Sequence, residues 1–139
     1  MSTIRVTKLL RNVLLLDAGS TAVTGVLLSA CHPVLSGLLG LPPAFMLGIG
    51  LFCLAWAVGL GLLSRRPATS RALVRAIIAA NLLWAVGSFV LLGLGWLQPT
   101  SLGVAFVAFQ AAAVAVFAEL QWWALKRGAA PAGLRTLAA

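Results

Sequence analysis

The chain has 139 residues, 62% hydrophobic and 9% charged, with ten Lys and Arg, two acidic residues and a formal net charge of +8. Soluble domains carry about 25% charged residues, so the composition excludes an ordinary water-soluble domain, and 14.4 kDa leaves room for one domain. The basic residues gather at the ends of apolar runs without interleaved exposed aromatics, which sets nucleic acid aside and points to anionic lipid at one face of a bilayer.

A first span is predicted over about 9–30, LLRNVLLLDAGSTAVTGVLLSA, with Arg5, Lys8 and Arg11 before it. Pro33 lacks a backbone N–H and is expected to stop it. Leu28–Ser29–Ala30–Cys31 resembles a lipoprotein cleavage box, but the apolar run is too long for a signal core and contains Asp17, so an uncleaved span is expected. Residues 36–43, SGLLGLPP, read as a shallow interfacial loop. The second span is predicted over about 44–64 and the third over about 73–95, with Arg65, Arg66, Arg71 and Arg75 flanking their connection. The fourth, about 101–124, follows Gln98–Pro99, with Thr100 or Ser101 able to cap its first turn. Each run is near the roughly 20 residues that cross the hydrocarbon layer.

Lys126, Arg127 and Arg135 follow the last span, and 128–139 reads as a flexible cytoplasmic tail after a membrane domain of 1–127. The connections at about 31–43 and 96–100 contain no Lys or Arg. The expected fold is therefore all-α: a compact four-helix transmembrane bundle, up-down-up-down, with both termini cytoplasmic by the positive-inside rule. Trp96, Trp122 and Trp123 near span ends suit an aromatic belt.

Asp17 and Glu119 are the only acidic residues. A carboxylate inside a span is costly and calls for a partner or a task. At about 1.5 Å per residue, Asp17 and Asn81 each lie about 12 Å inside their spans and Glu119 about 8 Å. These three are expected to form a polar intramembrane cluster. Thr21 and Thr24 share a helical face with Asp17, and Ser88 shares one with Asn81. With Trp84 and Gln110 they form the candidate lining. Gln110 falls about half a turn out of phase with Glu119, so it is expected to face another helix or another protomer.

The remaining chemistry is sparse. Cys31 and Cys53 do not form a CxxC pair, and His32 with Cys31 does not make a coordination sphere, so no metal site, cofactor or catalytic residue is expected. Ser20 lacks a plausible histidine base, and no GxGxxG turn follows a strand. Gly25, Gly48, Gly50, Gly59, Gly61 and Gly87, with the alanines of the fourth span, permit close helix approach or an oligomer interface.

The segments LLLDAGSTAVTGVLL at 14–28, NLLW at 81–84 and FAELQWW at 117–123 resemble small bacterial four-span membrane proteins. That resemblance implies the four-span fold and a bacterial inner-membrane location, with no activity or cofactor. Size and one buried carboxylate also resemble the small multidrug exporters, although those place a glutamate where this chain has Asp17. The expectation is a non-enzymatic accessory, structural or assembly subunit that meets lipid and another copy or a larger membrane protein. The alternatives are a small proton-coupled transporter and a lipid-, quinone- or hydrophobic-ligand-binding protein using the Asp17 region.

Overall fold

The computed structural model describes residues 3–128. The expected tail therefore lies, from 129 onward, outside the described residues. The elements are β1 (Thr3–Arg5), α1 (Lys8–Leu39), α2 (Pro43–Ser64), β2 (Ala68–Ser70), α3 (Arg71–Gly93) and α4 (Ser101–Gly128). All four helices are long and apolar enough to cross a membrane. Their outer surface carries large apolar side chains such as Leu16, Val23, Leu83 and Phe109, as lipid contact demands. The chain is a small four-helix, multi-pass membrane protein.

α1 is longer than the expected first span. It runs through Pro33, because the local damage is repaired: proline leaves the carbonyl of Ser29 without its helical donor, and Nδ1 of His32 lies 2.9 Å from that oxygen. The helix stops at Gly40, whose φ of 66° suits glycine and whose N–H donates to the carbonyl of Ser36. The expected interfacial loop at 36–43 is thus mostly the last turn of α1 and a tight corner. At 32 residues, α1 measures about 48 Å at a rise of about 1.5 Å per residue.

A second departure from the all-α expectation is the β1–β2 pair. Thr3, Ile4 and Arg5 lie antiparallel to Ser70, Thr69 and Ala68. Strands of this length carry too little alternation to be read from sequence. They join the start of the chain to the α2–α3 connection. Arg11 reinforces that junction by donating from Nε to the carbonyl of Ser64, 3.0 Å away at the end of α2. Gly128 lies beside Thr7. The start of α1, the α2–α3 connection and the end of α4 thus share one end of the bundle, and the described lysines and arginines gather toward it. At the other end Thr100 donates from its N–H to Leu39 and from Oγ1 to Leu38, while Oγ1 accepts from Gly103 as the α4 cap.

Packing follows two hairpins. α1 lies on α2, α3 on α4, and α1 on α4, whereas the backbones of α2 and α3 stay apart. One apolar cluster, with Leu10, Leu14, Leu60, Val74 and Leu125, fills the basic end. A smaller one, with Leu28, Leu39, Leu41 and Met46, fills the other. The α1–α2 crossing is tightest at Gly25 and Gly50. A Cβ on Gly50 would stand 2.7 Å from the backbone nitrogen of Ser29 and 3.0 Å from the Gly25 carbonyl.

Gly50→Ala should therefore force α2 away from α1 and cost about 1–3 kcal/mol, the usual range for overpacking. Gly48→Ala, with open space around it, should leave stability unchanged or slightly raised. Reversible unfolding in mixed micelles measures both; equal effects would contradict the tight crossing.

Candidate functional site

The α1 sequence places Asp17, Thr21 and Thr24 at i, i+4 and i+7, on one face turned into the bundle, with Ser20 at its exposed edge. Asp17 is 1% exposed. Its Oδ2 accepts hydrogen bonds from Nδ2 of Asn81 at 2.9 Å and Nε2 of Gln121 at 2.7 Å. Its Oδ1 accepts from the Thr21 hydroxyl at 3.2 Å. Nδ2 of Asn81 also reaches Oε1 of Gln121 at 3.3 Å, closing a triangle across α1, α3 and α4. Asn81 and Gln121 are 4% and 0% exposed.

The donors are neutral. A carboxylate offers about four lone-pair sites and accepts hydrogen bonds wherever they are supplied. Here three side-chain donors fill three of them. Two backbone carbonyls on α1 also receive hydroxyls: Ser20 donates to Asp17 and Thr24 to Ser20.

The structure brings Asp17 and Asn81 together but leaves Glu119 out. Glu119 is exposed on the far side of α4, and Gln121 occupies the place expected for it. Residues two apart on a helix point about 200° apart, so only one of the pair can face inward. An amide is the better neighbour for Asp17, because it donates a hydrogen bond where a second carboxylate would repel. The signal for Gln121 was its register: it shares a face with the buried Ala111, Ala118 and Ala124, which the carboxylate at 119 does not.

Beside the network lies a cavity of about 180 Å³, lined from all four helices. α1 gives it Asp17, Thr21 and Thr24; α2 gives Phe52, Cys53 and Trp56. α3 gives Asn81 and Trp84. α4 gives Phe106, Gln110, Val114 and Phe117, another i, i+4, i+8, i+11 stripe. Gln110 thus turns into its own bundle. Ser88 does not join the Asp17 network; its hydroxyl donates to the Trp84 carbonyl at 2.8 Å.

Phe52 and Trp84 stack across the gap between α2 and α3, with centroids 5.5 Å apart and planes 8° apart. Trp56 extends the stack behind Phe52 at 6.1 Å. On the lipid side an apolar groove of about 520 Å³ runs along the same gap toward the uncharged end, past Met46, Ile49, Leu91 and Leu97. Phe52, Ala80, Trp84, Phe106 and Gln110 line both spaces, so the stacked pair stands at their junction.

Among the described residues no group of three His, Cys, Asp or Glu could hold a metal ion. Comparison with protein-family models, curated proteins and solved structures gives no match.

Asn81→Leu should remove a donor from Asp17 and from Gln121 in one change. Leaving buried polar groups unpaired costs about 1–3 kcal/mol. Gln110→Leu, at a half-buried cavity position outside the network, should cost less. Unfolding in mixed micelles separates the two; equal small effects would show that the triangle does not hold the helices.

Proposed function

We propose that the chain is a membrane-embedded binding protein for a lipid-soluble ligand with an apolar body and a small head that donates hydrogen bonds. The observation that carries this reading is the cavity: a buried carboxylate on its wall, aromatic rings around it, and a contiguous apolar groove in the open α2–α3 seam. Ligand sites combine mostly apolar walls with a few placed polar groups. Three donors leave the Asp17 carboxylate capacity for about one more. A hydroxyl or amine head would meet it, with Thr21, Thr24 and Gln110 as neighbouring polar contacts, while a ring or chain lies against Phe52, Trp56 and Trp84.

The seam suits entry from the bilayer. A ligand would come along the apolar groove and pass the Phe52–Trp84 stack. A purely structural subunit needs the hydrogen-bond triangle but has no use for a cavity beside it, and this favours binding over the accessory role. The basic end belongs in the cytoplasm of a bacterial cell under the positive-inside rule, against anionic headgroups of the inner membrane. Lys126 over Trp122 and Arg127 over Trp123, at 5.0 and 3.7 Å from the ring centroids, suit that interfacial belt.

Native mass spectrometry from lipid nanodiscs tests the reading. The wild-type protein should retain a reproducible small mass, and Asp17→Asn and Trp84→Ala should each lose it while the helices stay folded. A wild-type protein without any retained mass across several lipid extracts would count against a binding role.

Cys53 gives an independent measure of access. In a Cys31→Ser background a lipid-soluble maleimide should reach it slowly. An aromatic pair contributes about 0.5–1.5 kcal/mol, so Trp84→Ala should speed labelling roughly 2- to 12-fold. An unchanged rate would mean that the stack does not control the seam.

A further inference from the structure

We propose that the outer face of α3 and α4 bearing Arg75 and Glu119 is a dimerisation surface for a second copy of this chain, paired so that Glu119 of each copy meets Arg75 of the other. Glu119 sits in a membrane-spanning helix, exposed and turned away from the bundle. A carboxylate facing hydrocarbon is expensive and calls for a partner. Among the described residues neither Glu119 nor Arg75 has an ion-pair partner within the chain. Yet the two line one groove, of about 520 Å³, between the helices.

That placement decides the occupant. A two-fold interface presents the same patch from both sides, so a patch carrying one acid and one base is complementary to itself. Both groups line a single groove, and a two-fold axis along the membrane normal sets the Glu119 helix of each copy against the Arg75 helix of the other without inverting either, the long Arg75 side chain extending along the groove to reach the carboxylate. Ala79 and Ala118, also in the groove, let the helices approach closely. Trp122 and Leu82, which line the same groove, supply apolar bulk to pack against the partner. This surface lies on the outside of the α3–α4 hairpin, apart from the ligand cavity, and stands independently of the binding role.

The test is subunit-exchange energy transfer in phosphatidylethanolamine–phosphatidylglycerol vesicles, with donor or acceptor dye on the exposed Cys31 and the protein-to-lipid ratio varied. The wild-type chain should give transfer above that of randomly placed monomers. Glu119→Arg alone and Arg75→Glu alone each place like charges across the interface and should weaken dimerisation roughly tenfold or more. Mixing the two single variants should restore transfer, because each hetero-pair then regains both opposite-charge contacts. The double variant should also dimerise. Glu119→Gln, which is less disruptive to insertion, should weaken dimerisation without like-charge repulsion. Monomeric wild-type protein at every ratio would overturn the proposal. So would unimpaired single variants, or restoration in the double variant but not in the mixture, which would mark a pair within one chain.

Discussion

One buried carboxylate sets the arrangement of the bundle. Asp17 lies in α1, buried among apolar spans, where a carboxylate is costly unless hydrogen-bond donors are brought to it. The fold must bring donors to it, and it does so from two other helices: Asn81 of α3 and Gln121 of α4, at 2.9 and 2.7 Å. Apolar side chains meet lipid as readily as they meet each other, so hydrophobicity alone does not choose which helix faces touch. The Asp17 triangle makes that choice. It fixes the rotation of α1, α3 and α4 together, and with it every other residue on their inner faces.

The fourth helix is held differently. α2 has no side chain in the triangle. It is carried by α1 through the close Gly25–Gly50 crossing and the bond from Arg11 to the carbonyl of Ser64. Its backbone stays away from α3, and the gap is spanned by the ring stack of Phe52 and Trp84. Three helices locked around a polar point and a fourth leaning on one of them leave a space above the triangle and a seam beside it. The cavity and the lateral groove are thus consequences of where the polar contacts are spent. Flat aromatic faces suit such a seam, because stacked rings can slide or part without leaving any hydrogen bond broken.

Much of the outline was legible in the sequence. Four apolar runs, basic residues confined to alternate connections and a polar layer containing Asp17 and Asn81 follow from hydropathy, charge and helical rise. What was hidden depends on compensation or on rotation. Pro33 reads as a stop, yet His32 reaches the carbonyl it strands and α1 continues. The three-residue strands are set by the meeting of two distant segments and carry no pattern of their own. Glu119 stands out in the sequence as a charge, but helix phase turns it outward and brings Gln121 inward, a distinction visible only when the buried small residues of α4 are placed on the same wheel. The cavity has no sequence signature, since its walls come from all four helices and depend on how they pack.

The most direct measurement is a double-mutant cycle between Asp17 and Gln121, residues 104 positions apart. Unfolding free energies of Asp17→Ala, Gln121→Ala and the double variant, taken in mixed micelles, isolate the term that joins α1 to α4. Residues in direct contact couple by about 0.5–3 kcal/mol, and a value in that range is the expected result. Strict additivity of the two single changes would contradict a bundle organised around the buried carboxylate.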